Sequence, residues 1–199
     1  MSENDWDQIY KDHPLEEIPW HSGQPDRRLV KLIKQNRIQK GSALDLCSGD
    51  GTNSLYLASK GFRVTGVDIS PTAVEIARAR AARRKLSCDY HVGSVLEFPY
   101  SQTYDFIFDR GCFHHIPKKR KPDYVRLVHR LLNPGGKFYL LCFSDKNPPF
   151  EKNLTEQDIR QHFEGHFEIH FIKDSVHREG PYGRKRYLYA VFMEKKGLR

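Results

Sequence analysis

A chain of 199 residues with 38% hydrophobic and 12% aromatic content is long enough for one well-buried core and too short for two comfortable domains. No apolar run approaches the roughly 20 residues of a membrane helix, and the polar, acidic start Met1-Ser2-Glu3-Asn4-Asp5 excludes a secretory signal, so a cytoplasmic location is the expectation. The net charge of +8 admits a nucleic-acid partner, but the basic residues are spread over one helix (Arg78, Arg80, Arg83, Arg84, Lys85) and two loops (Lys118 to Lys121, Arg184 to Arg186), and most of them read as solvated faces.

Residues 1–25 form an aromatic-rich leader with Trp6, Tyr10 and Trp20. Pro14, Pro19 and Pro25 limit it to a short helix followed by a loop. Asp26 to Ile38 reads as a helix, with Leu29, Leu32 and Ile33 on one face and Arg27, Lys31, Lys34 and Arg37 on the other. The apolar run Ala43-Leu44-Asp45-Leu46 is a strand. A glycine-bearing turn, Cys47-Ser48-Gly49-Asp50-Gly51, follows it, and then a helix to Lys60 that Gly61 stops. Gly49 and Gly51 have no Cβ, so the backbone can bend sharply there and let a ligand approach its amides.

The second strand, Phe62 to Val67, ends in Asp68 and Ile69; an acid at that rim is placed to accept hydrogen bonds from both hydroxyls of a ribose. Ser70-Pro71 starts a helix that continues to about Lys85, with Thr72 and Glu75 as an alternative capping box. Cys88 to Val92 is a third strand leading into Gly93-Ser94-Val95-Leu96, and Tyr104 to Phe108 is a fourth, ending in Asp109-Arg110. A helix from Pro122 to Leu132, a turn at Leu131 to Gly136 and a fifth strand, Lys137 to Phe143, come next. A helix from Thr155 to Phe163 opens with a Thr155–Asp158 capping pattern. The last strands, Phe167 to Ile172 and Arg186 to Met193, are joined by a segment too short for a crossover helix and must be antiparallel. Five strands alternating with helices and then a hairpin make an α/β fold: a doubly wound seven-stranded mixed sheet with its last strand antiparallel, one domain at 26–199 beneath the leader.

A strand, a tight glycine turn and a helix meet a nucleotide-type ligand at the carboxyl edge of a parallel sheet. A dinucleotide is the first candidate, but Gly49-Asp50-Gly51-Thr52-Asn53-Ser54 fits G-x-G-x-x-G only if Ser54 replaces the third glycine. Asp45 would also set a negative charge close to a pyrophosphate, whereas it suits the ammonium of an amino acid. A ribose at one end and an amino-acid cation at the other describe S-adenosylmethionine. Asp45-x-Cys47-x-Gly49-x-Gly51 resembles the first motif of the class I S-adenosylmethionine-dependent methyltransferases, with Cys47 where the family usually has glycine. The resemblance covers Gly41 to Phe143. It implies that Asp45, Cys47, Ser48, Gly49, Gly51, Asp68, Ile69, Ser94 and Val95 hold the cofactor, with S-adenosylhomocysteine as product. At the adenine position the family has an acid after the glycine; Ser94 stands there and offers a hydroxyl instead.

Asp109 and Arg110 are candidates for the methionine end of the cofactor, with a structural ion pair at the strand end as the competing reading. Of the adjacent His114 and His115, only one is expected to face the site. His114 is the candidate for a general-base or acceptor-positioning role, and a packed histidine is the alternative. Cysteines 47, 88, 112 and 142 show no C-x-x-C pairing and read as reduced thiols rather than a zinc site.

Pro19-Trp20-His21-Ser22-Gly23-Gln24-Pro25 and Pro148-Pro149-Phe150 are similar to segments of the thiopurine, thiol/halide and tellurite-resistance branch. That likeness implies a leader folded over the cofactor, with Trp20 either facing the sulfonium or packing the leader. The acceptor it implies is a small molecule, a thiol or another soft nucleophile. RNA, a protein side chain or a scaffold that binds the cofactor without turnover are the alternatives, and no metal or membrane partner is expected.

Overall fold

Ser42–Leu46 forms strand β1 in the interior of the sheet, and its alternation decides which layer each residue joins. The computed structural model describes residues 3–148, 153–179 and 183–197. The remaining strands are β2 (Arg63–Asp68), β3 (Cys88–Val92), β4 (Tyr104–Arg110), β5 (Leu132–Phe143), β6 (Phe167–Glu179) and β7 (Arg184–Lys195). Their order is β3-β2-β1-β4-β5-β7-β6. The first five are mutually parallel, while β7 runs antiparallel to both β5 and β6. The chain reverses its direction across the sheet at β1, which opens a crevice between the β1 and β4 carboxyl ends.

Among the described residues the α-helices are α1 (Glu3–Asp12), α2 (Arg27–Lys34), α3 (Thr52–Ser59), α4 (Pro71–Arg83), α5 (Lys121–Leu131) and α6 (Glu156–Phe163). Leu44, Ile107, Leu140 and Val191 pack on one face of the sheet with Val128 of α5 and Phe163 of α6. Ala43, Phe106, Phe108, Leu141 and Phe192 pack on the other with Leu29 and Leu32 of α2. A strand period of two therefore feeds two cores at once, as a sheet covered on both faces requires. Among the described residues no helix is long and apolar enough to cross a membrane.

Several boundaries differ from the sequence expectation. The stretch expected as a turn before Lys137 is already strand from Leu132, with an irregular register opposite Tyr104 and Phe106. Its glycines do not break the strand because the irregularity absorbs Gly135, whose φ is +71°. The hairpin strands are also longer than their apolar cores, since polar residues from Lys173 to Arg178 pair fully with β7. Ser70 caps α4 by accepting from the Ala73 amide, and Thr155 and Asp158 form the reciprocal capping box of α6. Pro149 and Phe150, singled out in the sequence, lie outside the described residues.

Candidate active site

The turn after β1 is built by three unusual backbone conformations in five residues: Cys47, Gly49 and Gly51 all have positive φ, at +53°, +53° and +76°. Glycine is comfortable there, whereas Cys47 carries a strained conformation in a position where the related motif prefers glycine. Asp68, at the end of β2, accepts from the Gly49 amide at 2.8 Å and from the Ser70 amide at 2.9 Å. Each oxygen of a carboxylate takes about two hydrogen bonds. Asp68 can therefore brace the turn and still accept from a ligand.

Asp45 is buried and accepts from Ser54 Oγ at 2.5 Å. Burial lifts its carboxyl from the ordinary 3.8 to about 7; Ser54 opposes the rise, and the charges of Asp109 and Asp68 add to it. A buried acid in this condition favours a cation beside it. Because the ligand-free carboxyl holds its proton below about pH 7, an ammonium that needs the carboxylate must displace that proton. We expect S-adenosylhomocysteine affinity to fall about tenfold per pH unit below that point and to level off above it, until the ligand's own amine deprotonates. Calorimetry across buffers of different ionisation enthalpy reads the released proton; a flat affinity from pH 5.5 to 7.5 contradicts the pairing.

The turn is held from behind by Arg80, whose Nη1 donates to Asp50 O at 2.8 Å and Thr52 Oγ1 at 3.0 Å and lies 2.5 Å from Asp50 Oδ2. Arg80 is buried, so it stands apart from the solvated basic residues that the sequence suggests for most of this helix. The same holds for Lys121, buried with Nζ donating to Phe113 O at 2.6 Å.

The leader closes over the turn and is fastened at three points. Asp7 on α1 accepts from Ser70 Oγ at 2.7 Å and the Thr72 amide at 2.9 Å, where the N-terminus of α4 favours an anion. His21 Nδ1 lies 2.5 Å from Asp50 Oδ2, and Arg110 Nη1 donates to Trp20 O at 2.9 Å. Trp20 Nε1 donates to Tyr10 Oη at 2.9 Å, and the two rings meet edge to face.

Beneath the leader lies a cavity of about 460 Å³, a size typical of small-molecule sites. Asp45, Cys47, Ser48, Gly49, Asp68, Ile69, Ser94, Val95, Arg110, His114 and Trp20 all line it. Ser48 Oγ is buried without a hydrogen-bond partner in the protein, as a hydroxyl waiting for a ligand atom would be. Gly51 and Asp109 are not among the lining residues. A Cβ on Gly51 would meet Tyr90 Oη at 2.5 Å and Ala77 Cβ at 3.0 Å, so this glycine lets β3 and α4 pack against the turn. Asp109 is fully buried and accepts from the Cys112 amide at 2.7 Å, the Phe113 amide at 3.0 Å and the Tyr124 hydroxyl. It shapes the loop after β4 rather than reaching the cavity, while its neighbour Arg110 faces the cavity from the opposite side of the strand.

His114 and His115 both line the cavity, against the expectation that only one would. They sit on a 3-10 turn, Phe113–His115, with ring centroids 4.4 Å apart. Residues the sequence reading left out include Asn53, Phe143, Arg186 and Leu188. Phe143 arrives with β5, and Arg186 and Leu188 are brought there by the pairing of β5 with β7, in which Phe143 stands opposite Leu188. Among the described residues no cluster of three or more His, Cys, Asp or Glu side chains is suited to a metal ion.

Residues 43–136 match the family described as Methyltransferase domain. The chain is 33% identical over 127 residues to the 2-heptyl-1-hydroxyquinolin-4(1H)-one methyltransferase of Mycobacteroides abscessus, covering 63% of this chain and 56% of that protein. It is 27% identical over 164 residues to the probable thiol methyltransferase 2 of Arabidopsis thaliana, covering 79% and 73%. The fold matches a structure solved for the conversion of a disulfide bond into a thioacetal group during echinomycin biosynthesis. That match has a TM-score of 0.85 and 24% identity over 97% of this chain and 92% of the other. The β3-β2-β1-β4-β5-β7-β6 sheet and the glycine turn lie in or around residues 43–136, the part of the chain that matches the Methyltransferase domain family.

Proposed function

We propose that the chain transfers the methyl group of S-adenosylmethionine to a small-molecule acceptor, with a thiol or another soft nucleophile as the leading class. The observation that carries this reading is the division of one cavity along the sheet edge. Acids and a glycine bend lie over β1 and β2, and an apolar, aromatic recess lies over β5 and β7. Neighbouring strands are about 4.8 Å apart, so β1 and β7 stand roughly 14 Å from each other, enough for cofactor and acceptor side by side. The cofactor supplies an activated methyl carbon when bound. Asp45 then pairs with the ammonium, Ser48 and the Gly49 region approach the methionine end, Asp68 takes the ribose hydroxyls, and Ser94 and Val95 border the adenine. The leader excludes water and holds both partners in line, an effect that supplies on the order of 7–11 kcal/mol. The relatives support a small acceptor: the mycobacterial protein is named for a hydroxyquinolone and the plant protein for a thiol.

His114 serves this reading as an acceptor-positioning group. The Phe143 amide donates to its Nδ1 at 3.3 Å, so the neutral ring carries its proton on Nε2 and presents a donor there rather than a base. Asp68→Ala is expected to weaken S-adenosylmethionine by about 1.5–3 kcal/mol, the worth of hydrogen bonds to a charged group; unchanged affinity by calorimetry contradicts its placement. The activity itself is tested with methyl-labelled cofactor against thiols, hydroxyls, amines and oxyanions. Label appearing in a small acceptor supports the proposal. Tight cofactor binding with no transfer to any of them, or transfer to tRNA alone, overturns it.

A further inference from the structure

We infer that the acceptor presents its nucleophile as an anion on a flat apolar body, and that Arg186 is the residue that selects that charge. The inference rests on the reading of this cavity as a methyltransferase site. Arg186 is half-buried, lines the cavity, and holds its guanidinium 4.8 Å from the centre of the Phe143 ring. That ring is stacked on His114 with centroids 3.7 Å apart and planes 20° from parallel. The recess thus has a flat aromatic floor with a fixed positive charge against it, and His114 contributes a donor rather than an acceptor.

The backbone beneath Arg186 is built to hold still. The Tyr187 amide donates to Asn147 Oδ1 at 3.0 Å, and Tyr187 O accepts from Asn147 Nδ2 at 2.7 Å and the Ser144 amide at 3.1 Å. Asn147 itself is buried and also donates to Ser144 O at 2.7 Å. The first residues of β7 are therefore locked to the end of β5, and Arg186 is presented from a rigid edge. The opposite end of the cavity carries Asp45, Asp50 and Asp68. Among the described residues that line it, the acids therefore stand at the cofactor end and the Arg186 guanidinium at the acceptor end, with Arg110 between them on β4.

This arrangement suits chemistry without a base. An anionic acceptor's lone pair forms the new bond to the methyl carbon as the carbon–sulfur bond breaks onto sulfur. Anion and sulfonium charges cancel and no proton moves. A guanidinium beside the acceptor keeps an acidic thiol, hydroxyl or N-hydroxyl ionised, and in a water-poor recess its pull on an anion is stronger than at the surface. Arg186 was grouped among solvated basic residues in the sequence, and nothing in the spacing of β7 set it apart.

The test titrates the S-adenosylhomocysteine complex with 2-naphthoate and with 2-naphthamide, planar apolar probes of one shape that differ in charge. We expect the anion to bind about 10–100-fold tighter, the range for a hydrogen-bonded charge. In Arg186→Gln the ratio should fall to near one, with S-adenosylhomocysteine affinity within about twofold of the wild type, and Arg186→Lys should recover part of the preference. Equal affinity of the two probes in the wild type, no binding of either, or a preference that survives Arg186→Gln overturns the inference. Failure of S-adenosylhomocysteine itself to bind would instead strike the methyltransferase reading.

Discussion

Gly49→Val is expected to abolish cofactor binding, lowering affinity for S-adenosylhomocysteine by more than about 100-fold. Two independent obstacles meet at this residue. Its φ of +53° lies in the region that costs an ordinary residue about 1–2 kcal/mol, and a β-branched one more. A Cβ built on it would also stand 2.7 Å from Tyr10 Oη, so either the turn or the leader must give way. Both are fastened, the turn through the Gly49 amide to Asp68 and Tyr10 through Trp20. Gly165→Ala is the control, because a Cβ there meets nothing within 4 Å, and it should bind like the wild type. A Gly49→Val protein that melts cooperatively and still binds would show that the ligand does not approach this bend.

Asp109→Ala is expected to cost stability rather than recognition. The change removes the acceptor for the Cys112 and Phe113 amides and the Tyr124 hydroxyl, all buried. Stranding buried donors costs about 1–3 kcal/mol apiece, so a total of about 3–5 kcal/mol is expected once partial relaxation is allowed. At about 2–4 °C per kcal/mol for a chain of this size, Tm should fall by roughly 6–20 °C. Asp109→Asn keeps an oxygen acceptor and should lose about half as much. If Asp109→Ala melts like the wild type but loses cofactor, the carboxylate contacts ligand directly and its assignment as a scaffold residue is wrong.

What was legible in the sequence is what short-range chemistry determines. The first strand, the glycine bend and the acid ending the next strand lie within 26 residues, from Ala43 to Asp68, and their spacing alone implies one ligand edge. The terminal hairpin was legible for a similar reason, since the short link left no other connection. Asp109 and Arg110 show where adjacency misleads. They were read together, as ligands or as a structural ion pair, yet neighbours on a strand face opposite ways, so one is scaffold and the other cavity wall. His114 and His115 show the reverse, because a tight 3-10 turn let both reach one space. Each basic group read as mostly solvated contains an inward member, Arg80, Lys121 or Arg186, and only tertiary packing picks it out. Arg186 is the clearest instance. It reaches the cavity because the last strand inserts beside the fifth, more than 40 residues upstream in the chain, a neighbour that no local pattern announces.

The central claim is that two acids at neighbouring strand ends, Asp45 and Asp68, grip opposite ends of one sulfonium nucleoside across the Gly49 bend. The most direct measurement is the melting temperature with S-adenosylhomocysteine and, separately, with NAD. Ligand at a hundredfold excess over its Kd adds about 2.7 kcal/mol to a native state that alone binds it. S-adenosylhomocysteine should therefore raise Tm by roughly 5–10 °C, with NAD leaving it unchanged. A rise with NAD and none with S-adenosylhomocysteine would put a pyrophosphate across the bend and contradict the account.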